Sequence, residues 1–326
     1  MKVILANPRG FCAGVDRAVK IVELAIEVYG TPVYVRREIV HNSHVVEDLR
    51  SRGAVFVEEL DEVPEGGLAI LSAHGVAPIV FDQAKARSLR LLDATCPLVT
   101  KVHLEVHRFV RQGYHIILVG HKGHDEVIGT LGESPENVVL VENVEQARTV
   151  DIPQGRRLMV LTQTTLSMDD TNDVLEALRE RFPNLEFPPT DDICYATQNR
   201  QDAVKEMVAR GIDVLLVVGS HNSSNAARLV EVAESRGRRG YLIDGPDDVR
   251  EAWLQDAQTV GVTAGASTPE AVVQAVLDRL KESGAESVEF CTTAEEDTVF
   301  QLPVLLKQAV AERGISAGPA FETAHS

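Results

Sequence analysis

The sequence has no long hydrophobic run. No apolar stretch approaches the roughly 20 residues that a membrane-spanning helix needs. At the N-terminus, Lys2 is followed by only four apolar residues, too few for the hydrophobic region of a signal peptide. Still, 44% of the 326 residues are hydrophobic, enough for a large core in two or three domains. We therefore expect a cytoplasmic protein without a membrane partner.

Positively charged residues are too few to balance the acidic ones. Lys and Arg number 32 against 49 Asp and Glu, which gives a formal net charge of −17. Proteins that bind nucleic acid hold the phosphate backbone with clusters of Lys and Arg. The composition thus disfavours a nucleic-acid partner, and an anionic ligand would need donors within its own site.

Common nucleotide and zinc motifs are also missing. The chain has neither Gly-x-x-x-x-Gly-Lys-Ser/Thr nor Gly-x-Gly-x-x-Gly, which argues against mononucleotide and Rossmann dinucleotide binding. It has four cysteines and no Cys-x-x-Cys pair, which disfavours a zinc ribbon and a thioredoxin-like site. In a cytosolic chain of this length, cysteines are better explained as ligands or buried thiols than as disulfides.

Three of the cysteines share one kind of setting. Cys12, Cys96 and Cys194 each stand just ahead of an amphipathic helix pattern, separated by 84 and 98 positions. A helix N-terminus stabilises a thiolate through its unpaired N–H groups and its dipole. Three such thiolates could hold three irons of a [4Fe–4S] cluster and leave the fourth open to a substrate oxygen. Cys291 lacks this setting and is interpreted as an ordinary buried thiol.

The chain repeats a β-branched run that ends abruptly in polar residues and is followed by a helical pattern. This order predicts parallel sheets, with function at the carboxyl ends of the strands. Five such strand ends are predicted, after residues 68–71, 116–119, 158–161, 214–218 and 260–262. The fold class is therefore α/β.

Division at the cysteines predicts three comparable α/β domains and a tail. The first, 1–96, contains Cys12, His41 and His74. The second, 97–193, contains His124, Glu126 and Thr164. The third, 194–283, contains Cys194, Ser223, Asn225 and Ser267, and the tail is 284–326. The repetition is one of architecture and not of sequence.

Compact donors at the predicted strand ends suggest an anion site. His74 and His124 each adjoin a glycine, which lets a ligand approach the backbone. Small hydrogen-bonding side chains suited to phosphate oxygens stand in two further loops: Ser223, Ser224, Asn225 and Ser267. Each alone is more typical of a turn or a helix cap. Together they predict an anion pocket without a P-loop.

Two further residues are candidates for proton transfer. Glu126 follows His124 by two positions and could donate a proton, although an acid there is also typical of a helix N-terminus. Thr164 could relay a proton or position a hydroxyl, although threonine is common at strand ends.

Taken in order, these motifs resemble the 4-hydroxy-3-methylbut-2-enyl diphosphate reductases, which catalyse the last step of the non-mevalonate isoprenoid pathway. The resemblance covers nearly the whole chain apart from the tail. The segments that carry it are 7–15, 40–42, 72–76, 93–97, 120–126, 162–167, 192–197, 222–225 and 263–267.

The resemblance implies a trefoil of three α/β domains around one central [4Fe–4S] cluster per chain. Cys12, Cys96 and Cys194 would hold this cluster, with one iron not ligated by protein. The implied reaction removes the substrate hydroxyl with two electrons and two protons, giving isopentenyl and dimethylallyl diphosphates. An electron donor protein such as ferredoxin or flavodoxin is implied as a partner.

The resemblance also assigns roles to the polar residues. Glu126 would serve the proton relay, and Thr164 would lie near the substrate hydroxyl. The diphosphate would be bound by His41, His74, His124, Ser223, Ser224, Asn225 and Ser267.

Two other functional classes remain open on the residues alone. One is a zinc hydrolase acting on a phosphate ester, which three widely spaced cysteines disfavour. The other is a non-catalytic iron–sulfur sensor or a phosphate-ligand binding protein, which would have no need of Glu126 and Thr164.

Overall fold

The computed structural model describes residues 1–318 and residue 321. Its strands form three separate sheets, and every pairing among them is parallel. The prediction of three small α/β domains with parallel sheets is therefore confirmed.

Sheet A has five strands in the order β11-β10-β12-β1-β13. Their bounds are β1 (Lys2–Asn7), β10 (Val214–Val218), β11 (Arg239–Ile243), β12 (Thr259–Ala264) and β13 (Ser287–Thr292). Alternate residues of β1 point to opposite cores: Val3 and Leu5 pack on one face, Ile4 and Ala6 on the other. Burial on both faces explains why β1 and β10 contain continuous apolar runs.

Sheets B and C have four strands each. Sheet B has the order β3-β2-β4-β5, with β2 (Val33–Arg36), β3 (Ala54–Val57), β4 (Leu68–Leu71) and β5 (Arg90–Asp93). Sheet C has the order β7-β6-β8-β9, with β6 (Tyr114–Val119), β7 (Val138–Val141), β8 (Arg157–Thr162) and β9 (Leu185–Glu186). All five predicted strand ends are present, as the ends of β4, β6, β8, β10 and β12.

Helices connect the parallel strands. They are α1 (Ala13–Tyr29), α2 (Ser43–Ser51), α3 (Pro78–Ala86), α4 (Pro97–Arg111), α5 (Asp125–Glu133), α6 (Val144–Thr149), α7 (Met168–Arg181), α8 (Tyr195–Ala209), α9 (Ser224–Glu234), α10 (Glu251–Leu254), α11 (Glu270–Glu282) and α12 (Val304–Glu312). Short 3-10 turns lie at Leu60–Glu62 and Pro246–Asp248. Within the described ranges, no helix has the length and apolar character needed to cross a membrane.

The chain forms two compact units. Unit 1 comprises residues 1–16, 40–48 and 195–298 and contains sheet A. Unit 2 comprises 17–39, 49–194 and the residues from 299 on, and contains sheets B and C. Sheet A therefore takes β1 from the first predicted segment and β13 from the predicted tail. The boundaries at 96, 193 and 283 stay a prediction, and tail residues 319, 320 and 322–326 lie outside the described residues.

Candidate active site

Cys12, Cys96 and Cys194 each immediately precede a helix, as the sequence predicts. They stand directly before α1, α4 and α8, and all three are half-buried. The carbonyl of Cys12 accepts a hydrogen bond from the Asp16 N–H at 2.9 Å, and the carbonyl of Cys96 accepts one from the Thr100 N–H at 2.9 Å. These bonds close the first helical turn and place each thiol at the positive end of a helix dipole.

One backbone hydrogen bond recurs at all three cysteines. In each case the cysteine N–H donates to the carbonyl of a residue two positions beyond the end of the neighbouring strand. The pairs are Cys12 with Ala266 after β12 (3.2 Å), Cys96 with Ala73 after β4 (2.9 Å) and Cys194 with Thr164 after β8 (3.0 Å). The repeated bond joins each cysteine to a loop that holds a candidate site residue: Ser267, His74 or Thr164.

Cys291 lies in a different environment. It is a fully buried residue of β13 and packs with Ile4 and Ala6 in the core on one face of sheet A. Burial raises the pKa of its thiol, as expected where an apolar surrounding disfavours the thiolate. This setting agrees with its interpretation as an ordinary core thiol.

In unit 1, two predicted anion-binding residues, Asn225 and Ser267, lie beside Ala266, the residue whose carbonyl binds Cys12. The Asn225 Oδ1 accepts a hydrogen bond from the Ala266 N–H at 2.9 Å, and the Ala266 carbonyl in turn accepts from Cys12. The Ser267 hydroxyl donates to the His41 carbonyl at 2.9 Å. Ser223 is the N-cap of α9, where its Oγ accepts from the Ala226 N–H at 3.4 Å. Unit 1 thus brings four of the predicted residues into one hydrogen-bonded region: His41, Ser223, Asn225 and Ser267.

A buried arginine that the sequence analysis missed supports the same loop. Arg200 of α8 is fully buried; its Nη2 donates to the Gly10 carbonyl at 2.8 Å and its Nη1 to Glu296 at 2.9 Å. Gly10 adopts φ +65°, a conformation that L side chains rarely adopt. Arg200 therefore fixes the turn that leads into Cys12. In the sequence, an arginine within a helical pattern looks like a solvent-exposed residue. Only the position of Arg200 beside the Cys194 motif could have indicated that it supports the site.

In unit 2, Glu126 and Thr164 form a buried pair. The Thr164 N–H donates to Glu126 Oε1 at 2.7 Å and its hydroxyl donates to Oε2 at 2.9 Å. Glu126 is 3% exposed and Thr164 is 4% exposed. Burial raises the pKa of Glu126 to about 7, although the two Thr164 hydrogen bonds act to lower it. A carboxyl with this pKa holds a proton that it can give up near neutral pH.

Two histidines stand next to this pair. The Nδ1 of His124 accepts from the Glu126 N–H at 3.2 Å, which leaves the proton of the neutral ring on Nε2. His74 meets His124 edge to face, with ring centroids 5.9 Å apart, and its Nδ1 lies 3.2 Å from the Ser72 hydroxyl. Unit 2 therefore groups His74, His124, Glu126 and Thr164.

Two basic residues that the sequence analysis missed hold the loops before Cys96 and Cys194. The Nζ of Lys101 donates to Asp192 Oδ1 at 2.9 Å, while Oδ2 of this aspartate accepts from the Thr162 N–H at 3.0 Å. Arg17 of α1 donates from Nη1 to the Thr95 carbonyl at 3.0 Å. Each cysteine of unit 2 thus has a cation bound to the residues just before it.

The remaining predicted residue, Ser224, begins α9. The ligand, substrate-binding and catalytic assignments stay predictions.

The chain is similar in sequence to known proteins. The sequence model of the family described as "LytB protein" matches residues 3–281. The chain is 57% identical to the 4-hydroxy-3-methylbut-2-enyl diphosphate reductase of Mycobacterium ulcerans over 309 residues, 94% of this chain and 93% of that protein. It is 54% identical to the reductase of the same name from Tolumonas auensis, covering 94% of this chain and all of the other.

A solved structure is also similar. It is that of the E-1-hydroxy-2-methyl-but-2-enyl-4-diphosphate reductase from Plasmodium falciparum, with a TM-score of 0.93 and 39% identity. The match covers 96% of this chain and 99% of that one.

Proposed function

This chain belongs to the LytB protein family, and we infer that it catalyses the reaction named in its relatives, the reduction of 4-hydroxy-3-methylbut-2-enyl diphosphate. It is an enzyme of isoprenoid precursor synthesis by the non-mevalonate pathway. The proposed products are isopentenyl and dimethylallyl diphosphates.

The observation that supports this function most is the position of Glu126. A single residue, Thr164, donates two hydrogen bonds to the Glu126 carboxyl while its carbonyl accepts one from Cys194. A proton donor with a pKa of about 7 is thereby tied to a candidate metal ligand through one residue. A sensor or a phosphate-binding protein has no need of this link, so we favour the reductase over a non-catalytic iron–sulfur or phosphate-binding protein.

We propose that the family resemblance extends to an iron–sulfur cofactor. The fit depends on the donor set: three half-buried cysteines, each at a helix N-terminus and each held by the same backbone hydrogen bond. Helix N-termini favour the thiolate that iron binds. Cys12, Cys96 and Cys194 would hold a [4Fe–4S] cluster with one iron not ligated by protein. When bound, it would supply electrons and a Lewis acid.

The proposed reaction balances with two electrons and two protons. The allylic alcohol gains two electrons and one proton at carbon, and its hydroxyl leaves as water after taking the second proton. Glu126 gives the proton to the leaving oxygen, and the Thr164 hydroxyl orients the group that Glu126 protonates. The electrons come from a one-electron donor protein of the ferredoxin or flavodoxin class.

We propose that the diphosphate is bound by His41, His74, His124, Ser223, Ser224, Asn225 and Ser267. Asn225 also supports the Ala266 backbone. Hydroxyl, amide and imidazole donors can bind the anion without many Lys or Arg residues, which fits a chain of net charge −17.

Anaerobic reconstitution tests the proposal. We expect the purified chain to bind iron and labile sulfide and, with a low-potential reductant, to convert the hydroxylated diphosphate into both five-carbon products. A fully loaded protein that binds the substrate but does not turn it over would contradict the proposal.

A further inference from the structure

Helix α4 begins directly after Cys96 and packs against one face of sheet C. Its residues Val102, Val106 and Phe109 lie in the core on this face. The other side of the helix is open to solvent, as expected for an amphipathic surface helix. We call the exposed residues of this side the α4 face; they are Thr100, Leu104, His107, Arg108 and Arg111.

The α4 face differs in charge from the rest of the molecule. Its ionisable side chains are two arginines and a histidine, whereas the whole chain has 49 Asp and Glu against 32 Lys and Arg. In the other two helices that begin at candidate cluster cysteines, the exposed ionisable residues are acids: Asp16 and Glu27 in α1 and Asp202 in α8. Of these three helices, all within the described residues, α4 is the one whose exposed side is positively charged.

Two acids of this region point into the protein. Glu105 of α4 is 8% exposed, and burial together with the neighbouring Asp192 raises its pKa to about 7, which weakens its negative charge near neutral pH. The Glu133 side chain is 7% exposed and lies between two histidines, 2.8 Å from His103 Nδ1 and 2.5 Å from His107 Nε2. Neither acid adds exposed negative charge to the α4 face.

A cleft of about 490 Å³ lies beside α4. It is lined by residues of the α4 face, Leu104 and Arg108 among them, and by Thr95 and Pro97 on either side of Cys96. Leu104 is 62% exposed, and the eight helix positions from Cys96 to Leu104 span about 12 Å. A protein seated on this cleft would contact both an exposed apolar side chain and the neighbours of a candidate cluster ligand.

We propose that the α4 face is the docking surface for an acidic one-electron carrier protein, which delivers electrons beside Cys96. The docking surface rests on the proposed function, because a reductase needs an electron donor. Each docked carrier gives up one electron and leaves oxidised, so two encounters supply the two electrons of one turnover.

Charge complementarity identifies the carrier as acidic. Arg108 and Arg111 attract carboxylates of the approaching protein, while the acids exposed on α1 and α8 repel them. Leu104 supplies an apolar contact at the centre of the face. Electron-transfer complexes bury less surface than stable complexes, so one helix face and its cleft can serve as the docking surface.

Reversal of the charge on the α4 face tests the docking, with an acidic [2Fe–2S] ferredoxin as the carrier. In Arg108→Glu/Arg111→Glu at low salt, kcat/KM for ferredoxin should fall by about tenfold or more, since electrostatic attraction raises association rates by about 10–10³-fold. With reduced methyl viologen in place of ferredoxin, the variant should keep the turnover of the parent. Added salt should lower kcat/KM for ferredoxin in the parent much more than in the variant.

Arg148→Glu is the matched control for the single variant Arg108→Glu. Both reverse one exposed arginine in the last turn of a helix, but α6, which holds Arg148, packs through Ala147 on the opposite face of sheet C. Arg148→Glu should keep the parent kcat/KM for ferredoxin, and Arg108→Glu should not. Leu104→Ala removes an apolar contact at an exposed position and should weaken docking several-fold with the salt dependence of the parent, even if the double reversal does not fold.

Binding measured without substrate separates docking from the reaction. Calorimetric titration with oxidised ferredoxin should give a Kd about tenfold or more higher in Arg108→Glu/Arg111→Glu than in the parent or in Arg148→Glu. If ferredoxin binds the parent and the double reversal equally, or if the reversal loses turnover equally with both reductants, the α4 face is not the docking surface. If ferredoxin binding depends on the two arginines but neither reductant supports turnover, the docking surface is supported and the proposed reaction is contradicted.

Discussion

The loops of sheet A and the loop after β8 in sheet C both hold a cysteine by the same backbone hydrogen bond, yet they place different chemistry beside it. Next to Cys12 stand neutral amide and hydroxyl groups, including Asn225 and Ser267. Next to Cys194 stands the Thr164–Glu126 pair, buried and with a pKa of about 7 for the acid. The same cysteine hydrogen bond is thus accompanied by candidate binding groups in unit 1 and by a candidate proton donor in unit 2.

The largest expected effect concerns the three cysteines that share this hydrogen bond. Replacing Cys12, Cys96 or Cys194 with Ser should remove the cluster absorption and abolish activity, because a hydroxyl is a poor ligand for iron. Cys291→Ser should retain both, since that thiol lies in the core of sheet A. Iron content and turnover of all four variants check this, and an equal loss in Cys291→Ser would contradict the ligand assignment.

Glu126→Gln should have the next largest effect. Glutamine keeps the size of the side chain but cannot give up a proton as a carboxylic acid does. We expect normal iron content and substrate binding but a kcat at least about a hundredfold lower, the lower range for general acid catalysis. Turnover within a few-fold of the parent would show that Glu126 is not the acid.

The predicted anion-binding residues of unit 1 should affect binding more than turnover. Ser267→Ala or His41→Ala should weaken substrate affinity by roughly 10- to 150-fold, since a hydrogen bond to a charged group is worth about 1.5–3 kcal/mol. Pyrophosphate should compete with the substrate for the same reason. Unchanged affinity in these variants, or failure of pyrophosphate to compete, would place the anion site elsewhere.

The smallest expected effect is on the pH dependence of stability. Because the folded protein raises the pKa of Glu126 from 4.5 to about 7, folding favours the protonated acid. This contribution is fully present below about pH 4.5 and is lost as the pH rises to about 7. Urea unfolding of the parent protein and Glu126→Gln should therefore show the parent losing stability relative to the variant across this window. A constant difference between the two would contradict the raised pKa.

The fold was largely predictable because buried parallel strands appear in the sequence as β-branched runs that end in polar residues. All five predicted strand ends and the three helices after the cysteines are present. The pairing of β1 with β12 and β13 was not predictable, since it joins residues more than 250 positions apart and leaves no local pattern. The residue types of the candidate site were predictable from the sequence. The side chains that hold those residues in place were not.

Those supports are side chains whose sequence setting looks ordinary. Arg200 and Lys101 occupy positions in helical patterns where a basic residue is typical of a solvated face. In the structure Arg200 is fully buried on the Gly10 carbonyl, and Lys101 binds the loop before Cys194. The His103–Glu133 contact joins two helices, α4 and α5, and so depends on packing that spacing within one helix does not reveal.

The most direct test of the division between binding and proton donation is the kcat/KM of the double variant Glu126→Gln/Ser267→Ala measured with both single variants. If the two residues act in separate steps, their free-energy effects add, so the fold-losses of the single variants should multiply in the double variant. If the double variant is no worse than Glu126→Gln alone, the two residues act as one unit and the division is wrong.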